Sequence, residues 1–199
     1  MKKGETVSLK QTTEACYQVQ KELYAIGLWY ENSKLVEADI IWFPYPIITI
    51  PDAAGFLFHG TTLLHKMLGY KPGHIYIPKY VVLQFFKQER GSLREILRHE
   101  YAHVLAHYYP EFIEDNEEFE KVFGGTYYAM ESSEMEDSAY LTEYASSIPM
   151  EDFAETFMVY LRRKGVLPDG IKNRKLKKKW NFITKTIRQI QRNEYSEQK

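Results

Sequence analysis

Cysteine occurs once in the 199 residues, at Cys16. A lone thiol forms no intramolecular disulfide, so nothing requires an oxidising compartment, and packing is a plainer role for it than nucleophilic catalysis. The sequence also lacks an apolar run of the roughly 18 residues that a membrane span needs. Its opening, "MKKGETVSLKQTTEACYQVQKEL", has two lysines with no apolar segment behind them, so no secretory signal is visible. As written, the chain reads as cytoplasmic; one already relieved of a signal would read the same and would be secreted. Charge of either sign is in balance, at a net −1, which offers no global attraction to nucleic acid or an anionic membrane. Internal repeats and low-complexity tracts are missing as well.

What is present fits an ordinary soluble protein: 44% hydrophobic and 27% charged residues, with 16 Tyr and 11 Phe. The length suits one unit with a substantial core. We expect one domain over residues 1–199, with helix and sheet in 1–90 and a mainly helical part in 91–199. Cys16, Val19, Leu23 and Ile26 are spaced three and four apart, which predicts a helix from about Thr12 to Trp29 with Gly27 near its end. "ADIIWFPYPIITI" predicts one or two short strands bent by proline, and "HIYIP" begins a second β-like region. "YVVLQFF", which follows, fits a strand or a helix start equally.

Stronger signals follow. Ser92 and Glu95 form an S-x-x-E capping box, Leu93, Ile96, Leu97, Val104 and Leu105 face a core, and Pro110 stops the helix. Residues from Glu111 to Glu143, around Gly124-Gly125, predict short helical pieces and loop. Pro149 opens and Gly165 closes a further helix with acids early and bases late. "IKNRKLKKKWNFITKTIRQIQRN" is a basic amphipathic helix with Trp180, Ile183, Ile187 and Ile190 on one face. The fold class expected is α+β.

His99, Glu100 and His103 spell H-E-x-x-H within the capped helix. Positions four apart differ by roughly 40° around a helix and one turn along it, so both imidazoles reach a single Zn²⁺ at about 2.0–2.1 Å. Glu100, beside the pair, suits the work of a base on a metal-activated water. A catalytic zinc needs a third protein ligand. His107 continues the series, yet it lies about 12 Å along the axis from His99, too far to share an ion on a straight helix. Metzincins break that helix with a glycine; here "VLA" intervenes. A carboxylate on the next helix is the alternative. "EDFAE" offers Glu151 and Glu155 four apart, so one can ligate while the other holds a ligand histidine by its distal N–H.

HEYAH followed by "YASSIPMEDFAETF" resembles gluzincin metallopeptidases of the anthrax lethal factor and Pro-Pro endopeptidase type, and is similar to bacterial zinc-binding metallopeptidases with an E-D-[FW]-A-E motif. The resemblance covers about Ser92 to Leu161, and "YPEFIEDNEEFEKVFGGTYY" also looks like the second group. It implies a zincin-like domain: a small mixed or antiparallel sheet, an active-site helix and a helical C-terminal part. It implies one Zn²⁺ per chain, held by His99, His103 and Glu151, with Glu100 as general base, Tyr144 as oxyanion donor and Glu155 orienting a ligand histidine. Rotating the helix in register would make Glu155 the ligand instead. The activity implied is endopeptidase cleavage of a protein or peptide, with "HIYIP" as the edge strand that receives it. A metal-binding or regulatory module without catalysis is the alternative.

Eleven acids against one base, Lys121, lie between Glu111 and Glu143, and twelve bases against one acid, Asp169, lie between Arg162 and Arg192. An acidic rim would favour cationic peptides, although a solvated surface is the simpler reading. The basic stretch has the composition of a surface for nucleic acid or anionic membrane. A scaffold helix balancing the acidic lobe is the expectation, with no nucleic-acid partner.

Overall fold

The computed structural model describes residues 8–43, 56–57, 72–78, 92–133 and 136–197. Five α-helices and three short strands lie within them: α1 (Leu9–Ala25), β1 (Ile40–Phe43), β2 (Phe56–Leu57), β3 (Ile75–Pro78), α2 (Leu93–Tyr108), α3 (Glu117–Phe123), α4 (Pro149–Arg162) and α5 (Arg174–Glu197). "YVVLQFF" and the proline-containing end of "ADIIWFPYPIITI" fall outside the described residues.

Local chemistry sets the helix ends. The Ser8 hydroxyl accepts from Gln11 N at 3.2 Å while Gln11 Oε1 accepts from Ser8 N at 2.9 Å, a reciprocal cap that starts α1 at Leu9, three residues before the start predicted at Thr12. Thr12, Ala15, Val19 and Leu23 form its buried face. Beyond its last turn Gly27 takes φ +75°, a left-handed conformation that suits glycine. Gln191 of α5 donates to the carbonyls of Ile26 and Gly27 there. The Ser92 hydroxyl caps α2 by accepting from Glu95 N at 3.4 Å, while the Glu95 carboxylate takes a hydrogen bond from Arg162 of α4. Pro149 occupies the first turn of α4, where its missing N–H costs nothing.

The sheet is small and mixed, in the order β1-β3-β2. β1 runs parallel to β3 from Ile40↔Ile75 to Phe43↔Pro78, and β2 runs antiparallel to β3 through Phe56↔Tyr76 and Leu57↔Ile75. This corrects one expectation. Among the described residues "HIYIP" is the central strand, paired with β1 from Ile75 to Pro78 and with β2 at Ile75 and Tyr76, so it is not the edge strand expected to receive an added peptide. Ile75 and Ile77 are buried beneath it.

The core lies between α2, α4 and their neighbours. Residues Ile96 to Ala106 of α2 are all buried, as are Glu151 to Leu161 of α4. Phe119 and Phe123 of α3, Phe153 of α4 and Phe182 of α5 form an aromatic cluster with ring centroids 4.6–5.9 Å apart. Truncating Phe153 to Ala would open a cavity at its centre, at a cost of about 3–5 kcal/mol. On α5, Leu176, Trp180, Ile183, Ile187 and Ile190 repeat at alternating steps of four and three and are buried, as the sequence pattern predicts.

Three lysines of α5 pair with acids of neighbouring elements. Lys179 is only 1% exposed; its ammonium pairs with Asp152 of α4 at 2.6 Å and donates to the Ala139 carbonyl at 2.6 Å. Lys175 meets Glu136 at 3.3 Å, and Lys185 pairs with Glu118. The acidic and basic segments thus neutralise one another in part.

Candidate metal centre

Helix α2 places His99 and His103 one turn apart, their ring centroids 4.9 Å from each other. Helix α4 packs alongside and brings Glu151 from its first turn to the same point. His99 Nε2 lies 3.1 Å from His103 Nε2 and 2.9 Å from Glu151 Oε2, and His103 Nε2 lies 3.8 Å from that oxygen. All three residues are buried.

The outer nitrogen of each ring is held. His99 Nδ1 is 2.7 Å from Glu155 Oε1, and His103 Nδ1 is 2.8 Å from the Tyr127 hydroxyl. A carboxylate only accepts, so His99 donates from Nδ1 and turns the Nε2 lone pair inward. The same tautomer at His103, with Tyr127 accepting, aims a second lone pair at the same spot. Two lone pairs and a carboxylate oxygen facing one another in a buried place repel unless a cation lies between them. Bonds of about 2.0–2.1 Å to a tetrahedral zinc place ligand atoms roughly 3.3–3.4 Å apart, and the observed separations bracket that value. Glu151 Oε2 is buried and takes part in no well-formed hydrogen bond. The donor set therefore fits Zn²⁺.

Burial by itself would raise the Glu151 carboxyl pKa. N–H groups or positive charge on the adjoining His103 and His99 outweigh burial and hold it well below the usual carboxylate range, the part a cation would take once both Nε2 atoms present lone pairs.

Among the remaining sequence-predicted residues, Glu100 is buried on the same turn as His99. Tyr144 sits in a single 3-10 turn, Tyr144–Ser146, with its ring centroid 6.0 Å from that of His99 and 38% of its surface exposed. Glu155 reaches the far side of His99. Since Glu151 Oε2 lies nearest the two Nε2 atoms while Glu155 Oε1 meets Nδ1, the helix register places Glu151 on the Nε2 side of His99, facing His103, and Glu155 behind the ring. His107 stands apart, packed over Gly73, where an added Cβ would come within 2.9 Å of its ring. Burial and the nearby His74 lower its pKa.

Three contributors escape sequence reasoning. Tyr127 is fully buried against Phe119 and Phe153, so the aromatic cluster fixes the hydroxyl that holds His103. Gly124, at φ +80°, ends α3 and starts the loop that carries it; the Gly-Gly pair signals the turn without singling out a phenol. Thr142 donates to Glu155 Oε2 at 2.9 Å. Arg98, next to His99, makes a two-pronged bond to Glu22 of α1 at 2.7 Å per arm, anchoring the outer side of α2.

No curated protein and no solved structure matches the chain. Residues 60–194 match a family model, and they include both helices of the centre. That match spans well over half of the sequence, so the chain belongs to the family described as "putative zinc-binding metallo-peptidase".

Proposed function

We propose that the protein is a zinc-dependent endopeptidase with a zincin-like catalytic domain, in which His99, His103 and Glu151 hold one Zn²⁺ per chain. The observation that carries this reading is the convergence of His99 Nε2, His103 Nε2 and Glu151 Oε2, with each histidine held from behind. These three residues would hold the ion while leaving it open to water and substrate. When bound, the zinc supplies a Lewis acid that polarises the scissile carbonyl and brings the pKa of a water to about 7.

Glu100 is the general base. Its carboxylate takes the proton of the attacking water and passes it to the leaving amine, which would otherwise depart as a high-energy anion. Tyr144 stands at the partly exposed side of His99 and donates its phenolic hydrogen to the oxyanion, an interaction that strengthens as negative charge develops. Glu155 and Tyr127 keep the two imidazoles in the tautomer that presents Nε2. The substrate is a protein or peptide; a cleft of about 520 Å³ lined by Asp137, Tyr140, Leu141, Thr142, Glu143 and Ser146 lies beside the Tyr144 turn.

The test is metal content by elemental analysis together with peptide-library cleavage, for wild type and Glu100→Gln. One zinc per chain in both, with cleavage in the wild type alone, is expected. Zinc without cleavage in either would favour a binding module, and cleavage retained in Glu100→Gln would remove Glu100 from the mechanism.

A further inference from the structure

We infer that Thr142 is a positioning residue that sets two parts of the site at once, the ring of His99 and the turn that carries Tyr144. The inference rests on the metal site proposed above. Thr142 belongs to neither the H-E-x-x-H nor the E-D-F-A-E motif, and its role follows from hydrogen-bond direction.

A threonine hydroxyl has one hydrogen to give and two lone pairs with which to accept. Thr142 gives its hydrogen to Glu155 Oε2 at 2.9 Å and accepts the backbone N–H of Ala145 at 3.1 Å. The other Glu155 oxygen accepts from His99 Nδ1 at 2.7 Å. The result is a continuous path from the Ala145 amide, through the Thr142 hydroxyl and the Glu155 carboxylate, to the His99 imidazole. Both donors point at the carboxylate. With Thr142 holding Oε2, the carboxylate plane is fixed at both oxygens and Oε1 stays aligned with His99.

The far end of the path is equally fixed. Ser146 N and its hydroxyl both donate to the Glu143 carbonyl, at 3.0 and 2.7 Å, and Ser147 N and its hydroxyl donate to the Tyr144 carbonyl, at 3.1 and 2.8 Å. A turn so closely bonded moves as a piece, so the Thr142 tether at Ala145 carries Tyr144 with it. Thr142 thereby holds Tyr144 in fixed relation to the metal-facing nitrogen of His99, the relation a donor to a developing oxyanion needs.

Valine at this position keeps the shape and removes the hydroxyl. The experiment compares full-length wild type, Thr142→Val and Thr142→Ser, each stripped of metal and titrated with zinc against a chromophoric chelator. Thr142→Val is expected to lose about 10- to 100-fold in zinc affinity, with Thr142→Ser within about threefold of wild type. In the zinc-free proteins, ¹⁵N NMR should show His99 protonated on Nδ1 in wild type and Thr142→Ser, and a mixture of tautomers in Thr142→Val. Should the valine variant fail to fold by circular dichroism, Thr142→Ala takes its place with the same expectation. Wild type that binds no zinc would overturn the metal site and this inference with it. Wild type that binds zinc while the hydroxyl-free variant matches it in affinity and in His99 tautomer would overturn the role of Thr142 alone.

Discussion

Two imidazoles one helical turn apart share an ion only when each ring is locked by its other nitrogen, and here the two locks differ in kind. His99 leans on a buried carboxylate, Glu155, and His103 on a phenol, Tyr127. Tyr127→Phe keeps the ring in the aromatic cluster and removes only the hydroxyl, so it should lower zinc affinity by about 10- to 100-fold with the fold intact. Chelator competition measures this, and unchanged affinity would mean that packing alone orients His103. The ligand spacing was legible because i, i+4 is a property of any helix; Tyr127 was not, because nothing in local periodicity links positions 24 apart. Cys16 illustrates the opposite case, where the plain reading sufficed. Burial pushes its thiol up to about 11 from an ordinary 9.0, countered only in part by a backbone hydrogen bond. At pH 8 it should react with iodoacetamide about tenfold more slowly than a thiol of ordinary acidity, since the roughly 100-fold smaller thiolate fraction is offset in part by the greater nucleophilicity of a more basic thiolate. Labelling followed by mass spectrometry checks this, and rapid reaction would show an exposed thiolate.

At the scale of elements, the helices that build the site announce themselves through their ends. Ser92 and Pro110 bound α2, Pro149 and Gly165 bound α4, and these signals are local, hence readable. The neighbours of each element are a different matter. "HIYIP" has the composition of a strand, but only the positions of β1 and β2 make it central rather than an edge, and such pairing is set by contacts remote in sequence. The basic run of α5 shows the same limit: Lys179 looks like its neighbours Lys177 and Lys178, yet the face that carries Trp180 and Ile183 takes it into the interior against Asp152. That ion pair clamps the C-terminal helix to the turn of α4 that bears Glu151. Lys179→Met preserves length and apolar stem while depriving Asp152 of its ammonium, and it should cost about 3–5 kcal/mol. A shift in the urea midpoint measures the loss; a loss under about 1 kcal/mol would show the pair to be replaceable by apolar packing.

Across the whole molecule, the centre joins two helices that packing alone already places side by side, so zinc should stabilise the fold without creating it. Helices α2 and α4 bury their apolar faces in a core larger than that of the small domains that unfold when metal is removed. Free zinc at about 100 times its dissociation constant adds about 2.7 kcal/mol, which for a chain of this size corresponds to a rise in Tm of about 5–10 °C. Calorimetry with and without EDTA should show that difference between two folded states; an EDTA-treated protein that is already unfolded would contradict it. The central claim is that Glu151, rather than Glu155, completes the ligand set with His99 and His103. The most direct test is zinc stoichiometry and affinity for wild type and Glu151→Gln. One zinc per wild-type chain is expected, with the variant weakened by more than the about 10- to 100-fold that loss of an outer partner causes. Wild type without zinc, or Glu151→Gln with undiminished affinity, would contradict the account.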